Sequence, residues 1–585
     1  MLFRELTEYF EKLELTTKRL EMTEILVTLF KKLAQDPDEL KKAVYLLLGE
    51  LYPPYVGIEL GVSEKLIARA IARASGHSLG NIEEELEKTG DIGRVAEKFM
   101  SQKKQLSFFK RDLTVKDVYN ELDRVAKEKG EGAIKDKIAR LSGLFADCSP
   151  KEARYLARIA DGTLRLGVAE MTVLDALAIA FGRKEDRSVI EYAYNLISDI
   201  GRIAEIVASE GIEGIKKVRI QVGIPVRPML AERLEDPKEI LRKMNGRVAL
   251  EYKYDGERMQ IHKKGNKVEI FSRRLERITD QFPDVVNLTR THIEANECIV
   301  EGEAVAINPD TGEMRPFQEL MHRKRKYEIE KAAEEYPVAL KLFDLLYLDG
   351  ETYLDRPYPE RREKLEKIVK VDDWVELSRM KIVDNVDDMW KFFYEAIQDG
   401  CEGLVCKSVD ASSTYQAGAR GWLWIKFKRD YRSELTDTLD LVLVGAFYGR
   451  GRKAGVPSSF LMAAYNKEKD VFQTVCKVGT GFKDEELLAL KDRLEELKVD
   501  KKPARVESVM EPDFWVYPKL VLEITAAEIT ISPVHTAGID KLGYGLALRF
   551  PRFTGRLRED KAPEDATTVD EVIEMFKSQR KIKVE

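Results

Sequence analysis

Cysteine is scarce in this chain of 585 residues. Cys148, Cys298, Cys401, Cys406 and Cys476 are scattered, and no two have C-x-x-C spacing. That excludes a thiolate zinc site and a disulfide framework, and it fits a reducing compartment. Any metal is therefore expected on oxygen ligands. No uninterrupted apolar run is long enough to cross a bilayer. No secretory leader is expected, because Met1-Leu2-Phe3-Arg4-Glu5-Leu6-Thr7-Glu8 carries acids where a basic and then apolar segment is needed. The expectation is a cytoplasmic protein without membrane partners. Positive charge is not in excess either: 97 Lys and Arg stand against 103 Asp and Glu, a net charge of −6. This excludes a uniformly basic nucleic-acid binder. It leaves local basic faces open, since the Debye length is only about 8 Å at physiological salt.

What is present is 44% hydrophobic and 34% charged residues, a soluble globular composition. The length is too great for one core and suggests about three or four domains. Residues 1–222 read almost entirely as helices, with apolar positions at helical spacing in Phe3 to Leu13, Ile25 to Leu33 and Leu66 to Ala74. Asp161-Gly162-Thr163-Leu164-Arg165-Leu166-Gly167-Val168 interrupts the pattern. It is either a helix–helix corner or a place where Arg165 and free N–H groups meet a phosphate. Ser101 to Arg111 sets polar and basic residues around Phe108 and Phe109. Those two rings either tuck into the helical core or offer anchors to a partner's groove.

From about Gly223 the pattern turns to strands. In Glu251-Tyr252-Lys253-Tyr254-Asp255-Gly256-Glu257-Arg258, the Asp-Gly pair reads as a hairpin turn, with Met259 to His262 as the returning strand. Lys253 is either a solvated hairpin lysine or a nucleophile made neutral by Arg258 and other cations. Downstream, Arg273 ends one strand, and Glu301-Gly302-Glu303 puts two carboxylates on one face. Phe343 lies beside Asp344 in an apolar strand. Another strand runs from Glu402 to Lys407, and Lys426 and Lys428 share a face of the last. Singly these are ordinary charged strand ends. Together they supply an amine, cations for phosphates, an aromatic for a base, and the carboxylates Glu303 and Glu402 for a ribose or a divalent ion.

In this order, Lys253 to Arg258, Phe271-Ser272-Arg273, Glu301 to Glu303, Leu342-Phe343-Asp344, Glu402 to Lys407 and Trp424-Ile425-Lys426-Phe427-Lys428 resemble motifs I to V of the covalent nucleotidyltransferases. The whole chain is most similar to archaeal ATP-dependent DNA ligases, relatives of the eukaryotic replicative enzyme. Cys406 stands where the family usually has an aliphatic residue. After Arg432 come short strands and the basic loop Gly449 to Gly455, which suit an OB-type barrel on nucleic acid. Arg549 to Lys561 resembles motif VI, and Thr567 to Lys577 reads as a terminal amphipathic helix.

The resemblance implies a multidomain fold: an all-α DNA-binding domain (1–222), an α+β nucleotidyltransferase domain (223–432) and an OB-fold β-barrel (433–585). It implies sealing of 5′-phosphate/3′-hydroxyl nicks in duplex DNA, in replication, repair and recombination. Lys253 would take AMP from ATP and pass it to the nick 5′-phosphate before the 3′-hydroxyl attacks. Glu251 and Phe343 would hold the adenine. Arg258, Arg273, Arg420 and Lys426 would hold phosphate and ribose, and Lys407 and Lys428 would also bind the nucleotide. Glu303 and Glu402 would bind ribose or Mg²⁺, with Mn²⁺ as an alternative. Arg556, Arg558 and Lys561 would orient the leaving pyrophosphate, and Arg165, Arg450, Arg452 and Phe550 would touch DNA. Gln102, Phe108 and Phe109 keep the spacing of a sliding-clamp docking motif, although Gln105 stands where an aliphatic residue belongs. A monomer is expected. An RNA ligase or capping-type transferase shares motif I and is the alternative; the long helical region, suited to encircling a duplex, argues against it. Lysine at 253 and both carboxylates argue against a non-catalytic scaffold. The five histidines agree with phosphoryl transfer, which needs positioning and charge more than acid–base groups.

Overall fold

The computed structural model describes residues 1–104, 111–164, 166–307, 314–315, 317–323, 328–399, 401–428, 438–449, 455–526, 528–532, 534–549 and 551–579. Arg165, Phe108, Phe109, Arg450, Arg452 and Phe550 lie outside the described residues. The chain forms two compact units, Met1–Phe427 and Lys428–Glu585. The first opens with helices running from Phe3–Glu14 to Ile200–Ile215. Phe3, Leu6, Phe10 and Leu13 recur every three or four residues, so the first helix buries one stripe. Helix Pro150–Asp161 starts on a capping box of Ser149 and Glu152 with proline in its first turn. It stops at Gly162, whose φ of 70° is the left-handed conformation that favours glycine. Its Arg158 is buried and pairs with Asp91 at 2.6 Å and Glu14 at 3.0 Å. That pairing lets a guanidinium enter the helical core.

Among the described residues eleven strands follow, the last ending where the second unit begins: β1 (Leu230–Arg233), β2 (Val248–Lys253), β3 (Glu257–Lys264), β4 (Lys267–Ser272), β5 (Glu297–Ala306), β6 (Val338–Leu348), β7 (Glu351–Thr352), β8 (Val375–Leu377), β9 (Met380–Val383), β10 (Gly403–Ser408) and β11 (Arg420–Lys428). They form two sheets, one in the order β1-β11-β10-β2-β9 and the other in the order β4-β3-β5-β6-β7, with β8 parallel on β6. This corrects the expected hairpin. β2 and β3 do not pair with each other; each enters a different sheet. Asp255-Gly256 is therefore a crossing between sheets. A Cβ at Gly256 would stand 2.4 Å from the Ala304 carbonyl oxygen, so glycine is needed there for close approach.

A second local feature re-aims a side chain. In the β5–β6 ladder Glu301 faces Asp344 while Gly302 faces Leu342, leaving Phe343 as the extra residue of a β-bulge. Asp344 is buried and accepts from Arg361 Nε at 2.8 Å and Nη2 at 3.0 Å. Arg361 lies on helix Tyr358–Ile368 and is itself fully buried. Arg361→Leu would strand the Asp344 carboxylate, and the first unit is expected to lose about 3–5 kcal/mol of stability. Denaturant melts of the two proteins measure this loss.

The second unit is β-rich. Strand Leu439–Tyr448 pairs antiparallel with Pro457–Asn466, which pairs with Val471–Val478. On its other edge Leu439–Tyr448 meets Phe514–Val516 and Val521–Thr525, and Val521–Thr525 also pairs with Arg552–Leu557. Helix Val569–Gln579 closes the described chain, and its Val572, Ile573 and Phe576 join the apolar core of this unit.

Candidate active site

β2 is buried along its length except at its last residue, Lys253, which the strand thereby holds in place. In the β2–β10 ladder Lys253 opposes Gly403, Glu251 opposes Val405, and Ala249 opposes Lys407. Strand alternation therefore puts Glu251, Lys253 and Lys407 on one face. β11 contributes Trp424 to that face, and Lys426 and Lys428 share its parity.

Lys253 Nζ donates to Glu402 Oε2 at 2.6 Å, and its side chain is 26% exposed. The amine's ion pair among the described residues is with a carboxylate, not a cation. Arg258 is occupied elsewhere, donating to both oxygens of Glu301 at 2.9 and 3.1 Å and to the Met229 carbonyl at 3.0 Å. Its guanidinium also lies over the rings of Phe343 and Trp424, at 5.5 and 5.7 Å. Burial disfavours the Arg258 cation, but Glu301 and its neighbours outweigh that and raise its pKa.

Glu303 faces Arg258 across the β3–β5 ladder. Burial pushes its carboxyl up to about 7; Lys253 and Arg258 oppose the rise, and Glu402 adds to it. Among the described residues, no group of three or more His, Cys, Asp or Glu could hold a metal. The acidic pair Glu303 and Glu402 nevertheless fits Mg²⁺, which binds through one or two carboxylates plus substrate phosphate oxygens. A divalent ion there would favour the ionised form of a carboxyl that burial and a like charge now disfavour. Bound, it would neutralise charge on phosphate oxygens.

Glu251, 2% exposed, sits at the back of the face. It accepts a hydrogen bond from the Tyr358 hydroxyl and one from Arg362 Nη1 at 3.4 Å. Lys407 Nζ is 2.8 Å from its other oxygen, an ion pair without hydrogen-bond alignment. The same ammonium lies 4.8 Å from the centres of the Phe343 and Tyr358 rings and 4.4 Å from Trp424. Burial lowers its pKa, and Glu251 opposes that shift.

The structure thus brings together Lys253, Glu251, Arg258, Glu303, Phe343, Glu402 and Lys407. Lys426 and Lys428 are partly exposed near the end of β11, and Arg420 is exposed at its start. Arg273, also exposed, lines a separate cleft of about 230 Å³ with Arg274, Arg227 and Tyr194. Arg556, Arg558 and Lys561 belong to the second unit. Arg558 bonds Asp440 at 2.9 Å and Asp560 at 2.8 and 3.0 Å, Lys561 bonds Asp440 at 2.6 Å, and Arg556 is 66% exposed. Gln102 caps helix Ile92–Ser101, and its carbonyl meets His77 Nε2 at 2.8 Å.

Sequence reasoning missed Tyr358, Arg361, Arg362 and Tyr415. Tyr415 donates to Glu301 at 2.9 Å and accepts from the Met229 N–H at 2.9 Å. A signal for the first three exists: Tyr358, Arg361, Arg362, Leu365 and Ile368 fall at helical spacing and are buried together. Two adjacent arginines read as a solvated face, and only partners distant in sequence reverse that reading.

Comparison with known proteins agrees with this layout. Residues 2–178 match the description "DNA ligase N terminus", 228–428 "ATP dependent DNA ligase domain", and 453–561 "ATP dependent DNA ligase C terminal region". "DNA ligase 2" of Thermofilum pendens is 54% identical over 98% of this chain and 97% of its own length. "DNA ligase" of Acidianus ambivalens is 52% identical over 99% of this chain and 98% of its own length. A solved structure titled "Pmar-Lig_Pre." covers 95% of this chain and 99% of its own, with a TM-score of 0.54 and 17% identity, a likeness of fold. No described helix is long and apolar enough to cross a membrane. With all three regions matched in order and full-length relatives at half identity, the chain belongs to the ATP-dependent DNA ligases.

Proposed function

We propose that Lys253 is the nucleophile with which this ligase takes AMP from ATP, and that 5′-phosphate/3′-hydroxyl nicks in duplex DNA are its substrate. The observation that carries the assignment is the position of Lys253. It closes a rigid strand, lies against Glu402 at 2.6 Å, and shares a face with the cage of Phe343, Trp424 and Lys407. In the first transfer a bond forms between Lys253 Nζ and the α-phosphorus, and the bond to pyrophosphate breaks. Attack needs the lone pair of the amine, so the Lys253 ammonium gives up a proton before the bond forms. AMP then passes to the 5′-phosphate and leaves when the 3′-hydroxyl attacks. Glu251 and Phe343 hold the adenine, the ring by stacking. Arg258, Lys407, Arg420, Lys426 and Lys428 serve phosphate and ribose, and Arg273 serves the same ends from the neighbouring cleft. Glu303 and Glu402 are the residues that would hold Mg²⁺. Arg165, Arg450, Arg452 and Phe550 contact DNA. Sealing of a nicked duplex should far exceed the joining of RNA ends or the capping of RNA. Efficient RNA joining or capping with idle DNA would overturn the assignment.

The protein works as a monomer, and the segment from Gln102 to Phe109 docks on a sliding clamp through Phe108 and Phe109. What supports this is the spacing of the glutamine and the two rings. Phe108→Ala with Phe109→Ala is expected to keep the melting temperature and unstimulated joining while losing clamp binding. Rings buried in the helical core would instead cost about 3–5 kcal/mol each on truncation. A large fall in melting temperature with clamp binding intact would assign the segment to the core.

A further inference from the structure

Glu251 is held from three sides, and two of its partners come from one helix that no motif covers. Tyr358 and Arg362 are one turn apart on helix Tyr358–Ile368, and both reach the same carboxylate oxygen, Oε1. Each is fixed in turn. The Tyr358 backbone N–H donates to the carbonyl and hydroxyl oxygens of Ser413 at 2.9 and 3.0 Å. Arg362 Nη2 donates to the Ser378 carbonyl at 2.9 Å, and its Nε donates to Glu366 at 3.0 Å. Tyr358 is 2% exposed and Arg362 7%. A carboxylate clamped this way is fixed in orientation. As an acceptor only, it selects a base edge that offers a donor.

We propose that Tyr358 and Arg362 are positioning residues for nucleotide selection. They aim the Glu251 carboxylate at the exocyclic amine of adenine, so that the first transfer favours an amino-bearing purine. The inference rests on the assignment of Glu251 to the adenine, and it adds which groups make that carboxylate selective. Tyr358 acts without touching the nucleotide, as a donor that fixes the acceptor's direction. Arg362, at 3.4 Å, shares with Lys407, at 2.8 Å, the countercharge to this buried carboxylate, and unlike the ammonium it donates to Oε1 beside Tyr358.

The test compares self-adenylation by ATP with nucleotidylation by purine riboside triphosphate, whose base is adenine without its amine. Each is measured as kcat/KM on the same sample of the full chain. The ratio of the two rates cancels the fraction of folded protein, so a merely structural role leaves it unmoved. The natural protein is expected to favour ATP by at least about tenfold, the scale of one lost hydrogen bond to a charged group. Tyr358→Phe, which removes only the hydroxyl, is expected to narrow that preference to about threefold, mostly through KM for ATP. Arg362→Met should narrow it similarly, and Arg362→Lys should restore part of it. Glu251→Ala should abolish it. If Glu251→Ala abolishes the preference while Tyr358→Phe and Arg362→Met keep it, the positioning inference fails and the adenine contact stands. If Glu251→Ala keeps the preference, the adenine contact fails and the inference falls with it.

Discussion

Lys253→Ala is expected to form no covalent adduct with AMP and to join no nick that lacks a ready-made adenylate. The substitution deletes the only atom that forms the bond in the first transfer, so the effect is total rather than graded. The fold should survive, because the side chain is 26% exposed and stands at the last position of β2, after the buried run of the strand. Lys253→Arg should be as inactive. A guanidinium stays protonated and offers no neutral nucleophile, whatever its fit beside Glu402. Nicked DNA that already carries AMP on its 5′-phosphate should still be closed by Lys253→Ala, since that step leaves the lysine free. Full self-adenylation by either variant would remove Lys253 from the mechanism.

Arg558→Ala with Lys561→Ala should separate the steps. Self-adenylation is expected to fall by about 10²-fold or more, the scale of losing preorganised charge at a transferring phosphate. Closure of pre-adenylated DNA should stay within about tenfold of the natural protein. Equal loss of both activities would contradict this division. The hydrogen bonds of the second unit require a control. Arg558 and Lys561 both donate to Asp440, an 8% exposed carboxylate whose other oxygen has no hydrogen-bond partner among the described residues. Removing both cations leaves that carboxylate unpaired, which destabilises the unit for reasons unrelated to pyrophosphate. Adding Asp440→Asn removes the stranded charge. If the triple variant recovers its melting temperature and still fails at self-adenylation, the cations act on the nucleotide. If it recovers activity as well, they act on the fold.

Much of this architecture is legible in the sequence. Helical periodicity delimits the N-terminal region, and the strands carrying Lys253, Glu303, Phe343, Lys407 and Lys426 fall where alternation and apolar runs place them. What local pattern cannot carry is which strand lies beside which. The Asp255-Gly256 pair has the chemistry of a hairpin turn, yet β2 pairs with β9 and β10 while β3 pairs with β4 and β5. The choice is made by packing at Gly256 against Ala304, 48 positions away in the chain. Buried charge pairs are hidden for the same reason. Glu301 with Arg258, Asp344 with Arg361 and Glu251 with Arg362 each join separate elements. In the sequence Glu251 and Arg258 read as nucleotide contacts, and nothing there pairs them with Arg362 and Glu301. Phe343 shows the opposite case: the resemblance to the nucleotidyltransferase motifs singles it out, while the bulge it occupies shows only in the register of β5 against β6.

The most direct test of the central claim is the intact mass of the protein after incubation with ATP and Mg²⁺, followed by peptide mapping. The account predicts a gain of one AMP per chain, located on the peptide that contains Lys253 and discharged when nicked duplex DNA is added. An adduct on another residue, or sealing of nicks by a protein that never carries AMP, would contradict it.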